Sequence, residues 1–176
     1  CSSCRSAMNA ASGTARNGAG AMFPAHLYQQ WFAEYAKATG VRINYQPIGS
    51  GGGIKNSAAN TLNYGASDAP MTDKEMREAP GILHVPTVAG AVCIAYNAPG
   101  VPANLKLTGN VIAKMFLGKI TRWNDPQIAA LNPGVSLPAI ALTPFHRSDG
   151  SGTTNIVTTC LSAISPAWKQ QVGAGK

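Results

Sequence analysis

The first regular pattern of apolar residues along the chain has the period of a helix. It consists of Phe23, Leu27, Trp31 and Tyr35, spaced four apart, with Phe32 beside them. This spacing predicts one amphipathic helix whose aromatic stripe faces the core. Gly40 predicts the end of the helix, because glycine readily adopts the left-handed conformation that closes one.

Strand-like patterns follow at four places. Apolar residues in 41–45 alternate with polar ones, which predicts a half-buried strand. A short strand that ends at an acid is predicted within 63–71. Two longer apolar runs, 88–96 and 139–145, predict buried strands. At least one segment with helical signals separates each predicted strand from the next.

The helical signals between these strands are caps, glycines and acidic first turns. A glycine-rich turn at 48–53 leads into a short helix, and Thr72-Asp73-Lys74-Glu75 is typical of a helix start. Further helical segments are predicted at 108–117, from 123–126 to about 132, at 151–164 and at 165–168. The alternation predicts the α/β class, with glycine-rich turns at the carboxyl ends of strands.

Three turns share one composition, and each precedes a predicted helix. They are 20–23, 49–53 and 149–153, and Arg147 lies just before the third. In α/β folds such turns gather at one crevice, so three helix N-termini are expected to converge on one anion. The alternative is an ordinary strand-to-helix turn with a Ser or Thr N-cap.

Common catalytic and nucleotide motifs are missing from these turns. A Walker loop would need glycine where Ile54 stands, and a dinucleotide fingerprint would need glycine at Phe23. There is no G-x-S-x-G motif and no recognisable nucleophile–base pair. The sequence therefore predicts a protein that is not an enzyme and uses no cofactor.

Composition narrows the partners. Hydrophobic residues make up 45% of the chain and charged residues 12%, which is typical of a globular protein. The net charge of +7 favours anionic ligands. The cations are scattered, so no nucleic acid is expected. No apolar run reaches 18 residues, so no transmembrane helix is expected.

The four cysteines carry separate expectations. Cys1, followed by a loose Ala/Ser/Gly/Asn segment, is typical of a processed bacterial lipoprotein, with lipid on Cys1 and residues 1–17 as a tether. The alternative is that some other cleavage left a cysteine first. Cys4 completes a lone C-x-x-C, which predicts no metal site. Cys93 and Cys160 lie in apolar segments and are expected to be buried.

Six motifs, in family order over 18 to about 174, resemble those of the periplasmic phosphate-binding protein of bacterial high-affinity phosphate ABC transporters. They are GAGAMFP from Gly18, IGSGGG from Ile48, GASDAPM from Gly65, GKITRWNDP from Gly118, LNPG from Leu131 and RSDGSGT from Arg147. The resemblance implies a type II two-lobed clamshell, here incomplete at the C-terminus, with phosphate buried between the lobes. The implied boundaries are 18–84 for lobe I and 85–176 for part of lobe II. A hinge is expected near 84–88.

The resemblance also implies the phosphate ligands. They are Met22, Phe23, Ser50, Asp68, Arg147, Ser151, Gly152 and Thr153, supported by Asp149, Gly20 and Gly51. Asp68 matches the acid that accepts a hydrogen bond from the protonated phosphate oxygen, although a helix N-cap ahead of Pro70 is its alternative role. Asp149 is the expected partner that orients Arg147. The family usually has threonine where this chain has Met22, so one hydroxyl donor is absent.

The family members are nearly twice as long as this chain, which leaves two functions open. The first is phosphate binding on the periplasmic or cell-surface side of a bacterial inner membrane, for delivery to the membrane subunits of an ABC transporter. The alternative is a lipid-anchored structural or accessory subunit of another membrane complex. A fragment, a partner that supplies the rest, and a shortened descendant are the three explanations for the length.

Overall fold

A computed structural model describes residues 15–175 of the chain. The predicted lipid attachment at Cys1 and most of the tether therefore lie outside the described residues. Within them, the chain forms two compact units. Unit 1 contains 15–89 and 148–153, and unit 2 contains 90–147 and 154–175.

Unit 1 is built on a three-stranded parallel sheet with the order β2-β1-β3. Its strands are β1 (Arg16–Gly20), β2 (Ile43–Gln46) and β3 (Tyr64–Ala66), and its helices are α1 (Ala25–Thr39), α2 (Ser50–Ala58) and α3 (Asp73–Glu78). The predicted α/β class is confirmed. Strand β1 was not predicted, because Arg-Asn-Gly-Ala-Gly contains no β-branched or aromatic residue. The tether boundary expected at residue 17 falls inside this strand.

The predicted apolar stripe of α1 is wrong. Trp31 is 46% exposed and Tyr35 is 48% exposed, whereas Ala25 and Tyr28 are buried and Phe32 packs on the same core. A repeat of four residues rotates by about 40° per step on a helix of 3.6 residues per turn, so the four aromatic and apolar positions do not share one face. The sheet instead contacts the residues at spacings of three and four.

The glycine that ends α1 and the cap that begins α3 are confirmed. Thr72 accepts a hydrogen bond from the Glu75 N–H, and the Glu75 side chain accepts one from the Thr72 N–H, forming a capping box at α3. Gly40 closes α1 in the left-handed conformation, with φ of 76°. These local signals fix helix ends because they satisfy backbone groups that the helix itself leaves unpaired.

Unit 2 contains four helices among its described residues. They are α4 (Gly109–Phe116), α5 (Pro126–Leu131), the part of α6 (Gly152–Ile164) that follows Thr153, and α7 (Pro166–Gln171). Thr108 caps α4 and Asp125 caps α5, and both helices begin where the sequence predicts a helix start. One core cluster is centred on the fully buried Ile120 and Ile128.

The two long strands predicted for unit 2 are wrong. Residues 88–97 carry no regular secondary structure, and 139–145 contain only an isolated antiparallel bridge between Arg122 and Ala141. A strand requires a hydrogen-bonded neighbour, and none of the described residues pairs with 88–96. The apolar runs show suitability for a strand, but the partner that makes one is not encoded locally.

The expected burial of two cysteines is also wrong. Cys93 and Cys160 are both exposed free thiols. Cys93 lies in the unpaired run, where no sheet covers it, and Cys160 lies on the open face of α6. No helix within 15–175 has the length and apolarity that a bilayer crossing requires.

Three tyrosines form a cluster above the sheet of unit 1. Tyr45 stacks on Tyr64 with ring centroids 6.2 Å apart, and Tyr28 meets Tyr45 edge-on at 5.2 Å. Gly18 pairs with Tyr64 across β1 and β3, and a side chain at residue 18 would collide with the Tyr64 ring. Glycine in β1 therefore makes room for the tyrosine stack.

The Tyr64 hydroxyl is expected to make unfolding depend on alkaline pH. Burial, with Tyr28 nearby, raises the pKa of Tyr64 to about 12 from about 10. The folded protein then keeps a proton that the unfolded chain releases, so the free energy of unfolding falls as pH rises from about 10 to about 12. In urea titrations across that range, Tyr64→Phe should lose less stability than wild type. Equal losses in both proteins would contradict this prediction.

Candidate functional site

The three glycine-rich turns converge, and they do so within unit 1. The Gly49 N–H donates to the Gly20 carbonyl at 2.8 Å, and the Gly51 N–H donates to the Gly150 carbonyl at 2.9 Å. Each bond joins two turns through the backbone alone. The expected convergence of these turns is thus present in the described structure.

The helix that follows the second turn lies directly on the sheet. A Cβ atom at Gly53 would lie 2.6 Å from the Ala66 carbonyl oxygen and 2.8 Å from the Gly20 Cα. Both distances are shorter than real contacts of a Cβ atom. Only glycine at residue 53 therefore allows α2 to approach β1 and β3 this closely.

The third turn packs against the segment after β3 in the same way. A Cβ atom at Gly152 would lie 2.5 Å from the Ser50 Oγ and 2.8 Å from the Asp68 Cβ. Gly152 is the first residue of α6, and Ser50 is the first residue of α2. The N-termini of both helices therefore meet at Asp68.

Hydrogen bonds hold Ser50, Asp68 and Thr153 together. The Asp68 N–H donates to the Ser50 Oγ at 3.2 Å, and the Thr153 Oγ1 donates to the Asp68 Oδ2 at 2.8 Å. Ser50 is 1% exposed and Ser151 is fully buried. Asp68 does not cap a helix, because Thr72 is the N-cap of α3.

One oxygen of Asp68 is left without a partner. Its Oδ1 is buried, and no residue in 15–175 donates a hydrogen bond to it. An unsatisfied buried acceptor costs about 1–3 kcal/mol, and more for a charged group, so such an atom calls for an explanation. A ligand that brings its own proton would satisfy this oxygen.

The first turn presents different chemistry. Met22 and Phe23 are about half exposed, and their side chains offer no hydroxyl donor. The Ala21 N–H continues the β-ladder to the Ala66 carbonyl at 2.9 Å, and the Ala25 N–H donates to the Met22 carbonyl. Any donor that this turn offers beyond these bonds is a backbone N–H.

The remaining predicted residues are distributed between the units. Asp149 is exposed on the third turn of unit 1, and Arg147 is half-buried in unit 2. Their expected pairing, and the contribution of Arg147 to the ligand, stay predictions. Tyr45 is a neighbour of the site that the sequence did not single out: its hydroxyl donates to the Ala21 carbonyl at 2.6 Å.

The electrostatics of unit 1 favour an anion at this cluster. Helices α2 and α6 begin here, and neither has an acidic residue in its first turn. Their positive dipole ends attract negative charge, although the Gly51 N–H of α2 already donates to the Gly150 carbonyl. Within 15–175 no group of three His, Cys, Asp or Glu side chains could hold a metal ion. The buried part of the site therefore offers hydroxyl and N–H donors with the carboxylate of Asp68, while Asp149 on the third turn is exposed.

Two surface depressions formed by the described residues lie away from this cluster. One depression of about 320 Å³ lies in unit 1 between α1 and β2, lined by Phe32 and Arg42 among others. Another, of about 380 Å³, lies in unit 2 beside Tyr96. Neither includes a residue of the three turns, and both are shallow and open. The polar cluster is identified by its hydrogen bonds rather than by a cavity.

A parallel sheet whose polar turns and helix N-termini meet at one edge is the architecture of an α/β ligand-binding domain. The chain belongs to the PBP superfamily, because the profile of the PBP superfamily domain matches residues 8–176. The family and fold expected from the sequence motifs are thereby confirmed.

Curated relatives agree with this assignment. The chain is 48% identical over 160 residues to the phosphate-binding protein PstS of Haemophilus influenzae, covering 90% of the chain and 48% of the relative. It is 49% identical over 160 residues to PstS of Pasteurella multocida, covering 90% and 46%. It is 40% identical over 165 residues to PstS of Methanocaldococcus jannaschii, covering 89% and 42%. The chain spans about half the length of these relatives.

Proposed function

We propose that this chain binds inorganic phosphate, with unit 1 supplying the acid and most of the donors. The buried and unpartnered Oδ1 of Asp68 is the observation that carries the proposal. Phosphate retains a proton near neutral pH, and its P–OH group is the donor that this oxygen lacks. The names of the relatives, which are phosphate-binding proteins, support this ligand over other anions.

The surrounding groups suit the other phosphate oxygens. The hydroxyls of Ser50 and Ser151 and the N-terminus of α6 lie in this cluster, and the Thr153 hydroxyl donates to Asp68 and orients its carboxylate. An anion removed from water needs its lone pairs filled by such donors. Arg147 adds a guanidinium group suited to bidentate contact with an oxyanion. Phosphate would thus be bound without any covalent step.

The carboxylate also gives the site a basis for selectivity. A carboxylate beside an anion is repulsive unless a proton lies between them, and sulfate carries no proton near neutral pH. A site with one buried polar match rejects an analogue that lacks it by roughly 10⁴-fold or more. Asp68 therefore favours phosphate over sulfate.

The physiological setting follows from the sequence resemblance. We propose that the bound phosphate is delivered to the membrane subunits of an ABC transporter on the periplasmic or cell-surface side of the membrane. Lipid on Cys1 would hold the protein there. The relatives favour this role over a purely structural subunit of a membrane complex, since their names describe phosphate binding.

Replacing Asp68 by Asn is expected to lower phosphate affinity about tenfold and to narrow the preference over sulfate. Asn keeps one oxygen for the Thr153 hydroxyl but places an N–H donor where the free oxygen lies. That donor repels the P–OH group and suits an unprotonated oxyanion. Calorimetric titrations with phosphate and with sulfate measure both affinities.

The control variant is Asp73→Asn, which makes the same change in charge at an exposed position of unit 1. It should leave both affinities unchanged. Phosphate binding by wild type with no loss of selectivity in Asp68→Asn would refute the role of Asp68. No phosphate binding by wild type would refute the proposed function.

A further inference from the structure

Tyr45 contacts the first turn of the site through a hydrogen bond to one backbone oxygen, that of Ala21. Its hydroxyl donates to the Ala21 carbonyl at 2.6 Å, a short bond within the described core. In register, Tyr45 pairs with Gly18 on β1, so its side chain reaches along the sheet toward the carboxyl end of that strand. Ala21 is buried and belongs to the same apolar cluster.

The bond also fixes the orientation of the peptide group that contains the accepting oxygen. A peptide group is planar and trans, so the Ala21 carbonyl and the Met22 N–H point in opposite directions from one rigid plane. With the carbonyl held in the tyrosine cluster, the Met22 N–H must point away from it. That N–H donates to no backbone carbonyl among residues 15–175. It is therefore available to a ligand.

The hydroxyl of Tyr45 is also kept in the donating form. Burial raises the pKa of Tyr45, and the neighbouring Tyr28 and Tyr64 rings and Asp68 add to the increase. The contribution of Asp68 means that its carboxylate lies within electrostatic range of the phenol. Tyr45 thus contacts the first turn and is influenced by the carboxylate of Asp68, which follows β3.

We infer that Tyr45 is a positioning residue of the anion site, which aims the Met22 N–H at the ligand by holding the Ala21–Met22 peptide plane. The inference rests on the proposed phosphate binding. It gives the first turn a fixed donor although Met22 supplies no hydroxyl. Tyr45 itself does not touch the ligand.

Tyr64 provides a matched control for the test. It stacks on Tyr45, its hydroxyl is buried, and that hydroxyl has no hydrogen-bond partner among the described residues. Tyr45→Phe and Tyr64→Phe therefore each remove one phenol oxygen from the same cluster and leave both rings in place. Only the first removes a bond to the turn.

Phosphate titration of wild type and both variants tests the inference. Tyr45→Phe should lower the affinity about fivefold to tenfold, and Tyr64→Phe less than twofold. Backbone amide NMR of the same samples gives a readout that a purely structural role would not change. The phosphate-induced shift of the Met22 amide should be large in wild type and in Tyr64→Phe and strongly reduced in Tyr45→Phe, while the Ser50 amide still responds.

Three outcomes overturn the inference. Equal affinities of the two variants would do so, and so would a Met22 amide in wild type that does not respond to bound phosphate. The second measurement needs no variant, so it holds even if Tyr45→Phe fails to fold. If the wild-type protein binds no phosphate, both the proposed function and this inference are overturned. The other two outcomes overturn the inference alone, because in both of them the wild type binds phosphate.

Discussion

An alanine at residue 152 is expected to reduce phosphate affinity about a hundredfold and to lower the free energy of unfolding by about 2 kcal/mol. Its Cβ would lie 2.8 Å from the Asp68 Cβ and 3.0 Å from the Asp68 backbone nitrogen. A serine hydroxyl can rotate away, but the Asp68 backbone cannot move without carrying its carboxylate along. The acid and the N-terminus of α6 would therefore separate.

Gly150→Ala is the matched control for this change, because it lies in the same turn. There the added Cβ would lie 3.2 Å from the Gly51 Cα, a contact that a shift of a few tenths of an ångström relieves. Calorimetry and urea unfolding on the three proteins would measure both effects. If Gly152→Ala binds phosphate with the same affinity as Gly150→Ala, the packing of α6 on Asp68 is irrelevant to the site.

The second large effect is expected at residue 53, where local and tertiary arguments have opposite signs. Helix propensity alone predicts that Gly53→Ala stabilises α2 by about 1 kcal/mol. The structure places the new Cβ 2.6 Å from the Ala66 carbonyl and 2.9 Å from the Ala19 carbonyl, both strand backbone. We expect a net destabilisation of about 3 kcal/mol, because the helix must lift from the sheet.

The variant Gly52→Ala separates the effect of helix propensity from the effect of the steric clash with the strands. The nearest atoms to its Cβ would be Cδ1 of Ile48 at 2.9 Å and Cγ1 at 3.0 Å, in a side chain that is 41% exposed and can change rotamer. This variant should therefore follow helix propensity and match or exceed wild type in urea unfolding. A Gly53→Ala protein as stable as Gly52→Ala would contradict the close approach of α2 to β1 and β3.

The features that were predicted correctly from sequence are those encoded within a few residues. Thr72 with Glu75, and Thr108 ahead of Val111, bring donor and acceptor within one turn of helix, so the pattern itself contains the interaction. The three turns were found for the same reason. Their glycines are local signals, even though the contacts that require them lie across the fold.

The features that were predicted wrongly depend on contacts between segments that are far apart in the chain. The run at 88–96 has the composition of a strand, but pairing depends on another segment, and none of the described residues supplies it. Tyr28 and Phe32 of α1 pack with Tyr45 of β2, a contact that the spacing of the aromatic residues within α1 does not reveal. The bond from Tyr45 to Ala21 joins residues 24 apart in the chain, so no sequence pattern announces it.

The backbone hydrogen bonds that join the turns also affect which substitutions the turns can accept during evolution. The contacts of Gly49 with Gly20, and of Gly51 with Gly150, use groups that nearly every amino acid carries. Substitution cannot abolish them chemically, except by proline, and what limits change there is the positive φ of Gly20 and Gly49 and the lack of space at Gly20. A side-chain hydroxyl, by contrast, is lost in a single substitution, and residue 22, where the sequence resemblance implies threonine, is methionine. During evolution, residues that carry hydroxyl groups around the cluster could therefore be replaced, while the glycines would be retained because larger residues do not fit.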